Sequence, residues 1–131
     1  APDFGFGDRE SGVITNARRR TLQQIMDTDA GVLRSRGSLA HATEAITATM
    51  TDPAFTGRSR TEDWETTNLH WVAYVLASQA AQREETRGSH WREDFPEADL
   101  TWQVRLISSL DESGRLVTER RSPQWLPRNE Q

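Results

Sequence analysis

From Leu69 to Ala80, apolar side chains recur at Leu69, Val72, Ala73, Leu76, Ala77 and Ala80. Three- and four-residue spacing sustained over that length predicts an amphipathic helix. Thr61 stands as its N-cap, and Glu62, Asp63 and Glu65 load the first turn with the charge the helix dipole favours. The small side chains at 73, 77 and 80 admit a closely packed neighbouring helix. Trp64, Trp71 and Tyr74 fall on flanking sides, and His70 reads as a boundary or surface histidine. The helix is expected to run to about Thr86, closed by Gly88 in the left-handed conformation.

Two shorter helices precede it. The first starts at Thr15 or Asn16, either of which can cap it, and carries Leu22, Ile25, Met26 and Ala30 at helical spacing. Gly31 breaks that pattern, and Val32, Leu33 and Arg34 form a connector. Ser38 is the expected cap of the second helix, which places Leu39, Ala42, Ile46 and Met50 on one face and ends at Pro53 and Gly57. After Pro96 the period changes. Val104 to Leu110 alternates, Asp111-Glu112-Ser113-Gly114 is a turn, and Leu116 to Arg120 returns as a second strand. The expected fold is mainly α: a spectrin-like up-down-up three-helix bundle with a small C-terminal β-hairpin and an extended tail. Residues 1–12 read as a flexible arm or linker remnant, 13–102 as the bundle with its exit loop, and 103–131 as hairpin and tail. Phe4 and Phe6 lie in the arm, and Trp125 lies in the tail.

A length of 131 residues bounds the chain to one domain with a modest core. Hydrophobic residues make up 34% and mean hydropathy is −0.78. Both are low for a self-sufficient globule, while five Trp and four Phe argue against disorder. That combination suits a helical domain that leans on a partner. Net charge is −4, and all 16 basic residues are arginine, the residue preferred for forked pairing with carboxylates and also the product of a GC-rich coding bias. Arg18-Arg19-Arg20 reads as a solvated helix face. An acidic chain does not make that triplet a nucleic-acid site.

Catalytic chemistry finds little support. Without cysteine there is no disulfide, thiolate metal site or cysteine nucleophile. His41, His70 and His90 show no zinc-binding pair, and no Ser-His-Asp set follows from spacing. Gly5-Phe6-Gly7 has neither a preceding strand nor a third glycine, so it is not a nucleotide loop. The first residues carry no basic and apolar leader pattern, and no run reaches the ~18 apolar residues of a membrane span. A cytoplasmic location is the resulting expectation. Glu84-Glu85 and Glu93-Asp94 are most simply partners for Arg83, Arg87 and Arg92.

The densest chemistry is the run Arg83-Glu84-Glu85-Thr86-Arg87-Gly88-Ser89-His90-Trp91-Arg92-Glu93-Asp94-Phe95-Pro96, entered from Asn68-Leu69. It resembles the Arg-Glu-Ser-Arg-Gly-x-His-x-Arg-x-Asp-x-Pro signature of the C-terminal domain shared by L-aspartate oxidase and the flavoprotein subunits of succinate dehydrogenase and fumarate reductase. Leu22-Gln23-Gln24-Ile25-Met26, then Ala30-Gly31-Val32-Leu33-Arg34, resembles that family's first helix and connector. The likeness covers roughly residues 15 to 102. Thr86 replaces the family's commoner serine and keeps the hydroxyl.

Within the family, the Ala-Gly-Val-Leu-Arg connector and the Glu-Glu-Thr-Arg-Gly-Ser-His run look closer to L-aspartate oxidase. That enzyme uses FAD to oxidise L-aspartate to iminoaspartate for NAD biosynthesis. The hairpin and tail resemble what succinate dehydrogenase-like members carry. The resemblance implies a C-terminal piece of a larger flavoenzyme whose FAD-binding and capping domains are its partners, with quinolinate synthase a further candidate. It transfers no catalytic, cofactor-binding or metal residue to this stretch, and the piece alone is not expected to turn over substrate. Arg87, His90, Arg92 and Asp94 are the candidate interface residues, fixing the bundle onto the flavin domain or satisfying one another within the bundle. A succinate dehydrogenase or fumarate reductase domain, or a free-standing helical interaction module, are the alternative readings.

Overall fold

A computed structural model describes residues 12–123, so the arm with Phe4 and Phe6, and the tail with Trp125, lie outside the described residues. Helices α1 (Arg19–Asp29), α2 (Arg36–Thr51) and α3 (Thr61–Gln82) are joined by short 3-10 turns and two very short strands. Strand β1 (Leu33–Arg34) precedes α2 and β2 (Trp91–Arg92) follows α3, and the two pair in parallel. Strands β3 (Arg105–Leu110) and β4 (Leu116–Arg121) form an antiparallel hairpin.

The N-terminal ends of α1 and α3 are tied together. The Asn16 backbone N–H donates to Asp63 Oδ1 at 2.8 Å, and Arg19 pairs with Glu65 at 3.3 Å. The parallel β1–β2 ladder joins the far ends of the same two helices. Helices α1 and α3 therefore run one way and α2 the other, the expected up-down-up course.

The core is small: Leu22, Ile46, Ala73 and Tyr74, with Ile25, Met26, Met50, Trp71 and Leu116 packed against it. Leu116 brings the hairpin into that core, and Gln79 Nε2 donates to Ser108 Oγ at 2.9 Å to hold it there. Its turn closes as expected, with Gly114 at φ 81° and Asp111 Oδ1 accepting from the Ser113 and Arg115 backbone N–H groups.

Several local expectations are corrected. Helix α2 is capped by Ser35, not Ser38; the two serines form a reciprocal capping box, Ser35 Oγ accepting from Ser38 N at 3.1 Å and Ser38 Oγ from Ser35 N at 3.0 Å. Thr61 is the first helical residue of α3, whose N-cap is Arg60 without a side-chain bond. Helix α3 stops at Gln82, four residues before the expected end, because side chains from further along the chain take up its last carbonyls. Gly88 is consequently not a helix cap. It sits at φ 58° in a two-residue turn in which Arg87 and His90 exchange backbone hydrogen bonds of 2.9 and 3.0 Å. A glycine with positive φ at the first central position is what that hairpin turn requires.

The long apolar stripe also divides. Ala73, Ala77 and Ala80 face inward, but Leu69, Val72 and Leu76 face out. Their place on the inner side is taken by Asp63, Thr66, Thr67 and His70, all buried. His70, expected at the surface, is only 1% exposed, its Nδ1–H donating to the Thr66 carbonyl at 2.8 Å. Burial pushes its pKa below the ordinary value and the Arg18 charge adds to the effect, so the ring is neutral. Nor is the arginine triplet simply solvated: Arg18 lies 4.2 Å from the centre of the Phe55 ring.

Two glycines predict opposite responses. A Cβ on Gly31 would stand 2.5 Å from the Asp27 carbonyl oxygen, whereas one on Gly37, inside α2, meets nothing closer than 3.9 Å. Gly31→Ala should lower the urea midpoint, and Gly37→Ala should raise stability by about 0.4–1 kcal/mol. Equal responses in denaturant titrations would refute this reading.

Candidate domain interface at the exit of the third helix

An α-helix leaves its last four carbonyls without intrahelical donors. In α3 the Arg92 guanidinium supplies donors to three carbonyls at that end. Its Nη1 donates to the carbonyls of Ala80 at 3.1 Å, Ala81 at 3.0 Å and Arg83 at 3.2 Å. Its other edge forks onto Asp94, Nε to Oδ1 and Nη2 to Oδ2, both at 2.8 Å. The Phe95 ring lies 5.1 Å away, and the side chain is 1% exposed. Asp94 Oδ2 also accepts the Arg36 backbone N–H at 3.1 Å, which ties the first turn of α2 to the exit loop. The Arg92 hydrogen bonds, joined by that N–H, outweigh partial burial and hold the Asp94 carboxyl well below the usual carboxylate range.

Glu85 is the second centre. It is fully buried, and it accepts from Arg83 Nη1 at 2.8 Å, Arg87 Nε at 2.9 Å, Arg87 Nη2 at 3.1 Å and the Asp99 backbone N–H at 2.9 Å. Burial alone would raise its pKa; the bonds from Arg87, Asp99 and Arg83 together outweigh burial and lower it to about 2. Arg83 continues to the carbonyls of Trp102 at 2.8 Å and Val104 at 2.7 Å, so one guanidinium ties the end of α3 to the start of the hairpin. Trp102 is flanked by Arg83 and Arg120, whose guanidinium carbons lie 5.5 and 3.7 Å from its ring.

His90 completes the assembly. Its Nε2 lies 3.0 Å from the Arg83 carbonyl and its Nδ1 3.1 Å from Arg34 Nη1. A carbonyl only accepts and a guanidinium only donates, so the proton sits on Nε2 and the ring is neutral. Burial lowers its pKa, and the charges of Arg34, Arg92 and Arg83 add to this. Arg34 also donates from Nε to the Gly31 carbonyl at 2.9 Å. The connector motif and the exit motif therefore meet at the β1–β2 ladder. The Thr86 hydroxyl accepts the Arg92 backbone N–H at 3.0 Å and reaches the Phe95 carbonyl at 2.8 Å, which accounts for a residue that keeps the hydroxyl.

The four candidate residues thus lie in one network, but they are not alike. Arg92 and His90 are turned inward; the Arg87 side chain is 39% exposed and that of Asp94 30%. Sequence reasoning did not single out Glu85 as a centre or Arg34 as a partner. A signal for the first was present: Arg83, Glu85 and Arg87 alternate, and in extended chain i, i+2 residues share a side. No described residues form a group of three His, Cys, Asp or Glu that could hold a metal ion.

Residues 19–123 match the family model described as the fumarate reductase flavoprotein C-terminus. The chain is 42% identical over 101 residues to L-aspartate oxidase of Streptomyces coelicolor, covering 71% of this chain and 17% of the relative. It is 32% identical over 120 residues to the succinate dehydrogenase flavoprotein subunit of Rickettsia bellii, covering 83% and 20%. Its fold matches a chain of the Mycobacterium smegmatis Sdh1 complex in the apo form with a TM-score of 0.69 at 23% identity, covering 89% of this chain and 22% of that one. The chain spans about a fifth of the length of these relatives.

Removing the Arg92 guanidinium leaves three carbonyls and Asp94 without their partner. Arg92→Met should cost on the order of 3–5 kcal/mol in urea unfolding. Arg121→Met, at the exposed Arg121–Glu119 pair, should cost below about 1 kcal/mol. Similar losses would contradict the assignment. Because the folded pKa of Glu85 is lowered from 4.5 to about 2, its stabilisation is complete above pH 4.5 and is lost as pH falls toward 2. Glu85→Gln should flatten the fall in urea midpoint across that window; an unchanged slope would count against the network.

Proposed function

The chain belongs to the fumarate reductase flavoprotein C-terminal family, and on that premise we propose that it is the C-terminal helical domain of an FAD-dependent L-aspartate oxidase. The observation that carries this reading is the 42% identity to the Streptomyces coelicolor enzyme over 101 residues. The family's full-length members are flavoproteins, and the resemblance transfers no cofactor-binding residue to this stretch. FAD, the dicarboxylate and the catalytic groups are therefore assigned to the remainder of a longer polypeptide. The reaction proposed for that polypeptide is oxidation of L-aspartate to iminoaspartate for NAD biosynthesis, in the cytoplasm, with quinolinate synthase as a candidate partner. No helix of the described residues is long and apolar enough to cross a membrane.

The domain's own role in this proposal is structural: it packs on the flavin domain and does not touch substrate. Arg92, His90 and Glu85 give the exit loop one shape, and Arg87 and Asp94 lie at its solvent side. Docking of this loop through charge-assisted hydrogen bonds is part of the proposal. The second reading, a succinate dehydrogenase flavoprotein subunit, is favoured by the Rickettsia bellii likeness, which extends over 83% of the chain.

The full-length product of the natural gene tests both. Bound flavin with turnover of L-aspartate and not succinate is the expected result; turnover of succinate moves the chain to the second reading. A product of this length that carries no flavin would leave a helical interaction module. In the same protein, Arg87→Ala should weaken flavin retention, and unchanged retention would remove the exit loop from the docking surface.

A further inference from the structure

The two neighbours of the His90 ring make opposite demands on it. Its Nε2–H donates to the Arg83 carbonyl at 3.0 Å, and its Nδ1 accepts from Arg34 Nη1 at 3.1 Å. A guanidinium offers donors and no acceptor, so the Arg34 contact requires a bare Nδ1. A second proton there would set N–H against N–H and cation against cation. The surroundings do not compensate that charge. Arg34 faces the ring from β1, Arg83 from the end of α3 and Arg92 from β2. Arg87 and Arg105 line the same cleft. Glu85 is taken up by Arg83 and Arg87, and Asp94 by Arg92.

The joint that the ring braces has little else to hold it. The β1–β2 ladder pairs two residues with two, Leu33 with Trp91 and Arg34 with Arg92. The Glu93 backbone N–H extends it by one bond, to the Arg34 carbonyl at 2.8 Å. Leu33 and Trp91 are half exposed, so they bury little surface. Even a longer two-stranded ladder is marginal without further support. We propose that His90 is a proton-sensitive latch between the connector before α2 and the loop after α3. Neutral, it holds Arg34 and keeps the joint closed; with a proton on Nδ1 it releases Arg34, and the β1–β2 joint opens while the helices and the hairpin stay folded.

Burial, with the charges of Arg34, Arg92 and Arg83, keeps the closed ring below its ordinary pKa of 6.5. An opened ring regains the ordinary value, so opening takes up a proton. The latch is fully effective above pH 6.5. Below it, opening gains by up to about tenfold per pH unit until the closed ring itself titrates. The neighbouring Arg92–Asp94 fork stays charged throughout, since Asp94 lies well below the usual carboxylate range. That confines the opening to the joint. His70 is also neutral, but it sits within α3 on the Thr66 carbonyl, and its protonation loosens the bundle as a whole.

Amide hydrogen exchange of the 131-residue chain, read by NMR alongside the His90 ring titration, tests this. Protection of the Glu93 amide should fall as pH goes from 6.5 to 5, in step with ring protonation. Protection of the Ala77 amide inside α3, and of the Asp111 amide that donates to the Arg115 carbonyl in the hairpin, should persist. Constant protection at Glu93 while His90 titrates overturns the latch. Loss at Glu93, Ala77 and Asp111 together also overturns it, because that is global unfolding. His90→Gln offers Arg34 an amide oxygen and the Arg83 carbonyl an N–H, and it has no proton to gain. Whatever its absolute protection, its Glu93 amide should show no slope across this range, and a slope equal to wild type refutes the proposal. Arg34→Met removes a facing charge and should raise the pKa of the His90 ring; an unshifted ring refutes it equally.

Discussion

Arg92 is the side chain on which the rest of this structure depends. A guanidinium is planar, permanently charged and carries five donors. Here it is almost fully buried at the C-terminal end of α3, where the helix dipole favours positive charge. Three donor contacts go to carbonyls that the helix leaves open, and two go to Asp94. Asp94 in turn holds the backbone at the start of α2. One residue thereby fixes where α3 ends, how the exit loop returns, and where the next helix pair is anchored. A lysine has the charge without the fork, and could not fill this position.

Glu85 does the corresponding work toward the hairpin. Its carboxylate gathers Arg83 and Arg87, and Arg83 carries the connection to the carbonyls of Trp102 and Val104. The opposite end of α3 has a polar tie of the same kind. Asp63 accepts the backbone N–H groups of Asn16 and Arg58, and those bonds, chiefly the one from Arg58, hold its carboxyl below the ordinary range. A chain with only 34% hydrophobic residues cannot rely on a large core. It positions three helices by fixing their ends with hydrogen-bonded, largely buried polar groups, and it leaves Leu69, Val72 and Leu76 of α3 exposed.

That arrangement bears on function. The exit loop is dense in charge, and within the domain most of that charge is already paired. The unpaired resource is apolar, on the side of α3 that faces α1.

The helical spacing at 22, 25 and 26, at 39, 42, 46 and 50, and at 69 to 80 was enough to read three helices, and Asp111 to Gly114 with alternating flanks was enough to read a hairpin, because both signals are local. The pairing of Glu85 and Asp94 with nearby arginines was legible for the same reason, the partners lying two residues apart in extended chain. Which side of α3 faces the core was not legible. Apolar residues occupy both sides, and the choice fell to Thr66, Thr67 and His70, whose burial depends on hydrogen bonds that only the folded chain supplies, to Ile14 N–H across 53 residues for Thr67 and to Asn16 across 50 for Thr66. The end of α3 was hidden likewise, since its last carbonyls are satisfied by Arg92 and His90 from beyond the turn at Gly88. Periodicity along the chain specifies that a helix forms; contacts between residues far apart in sequence decide which face it buries and where it stops.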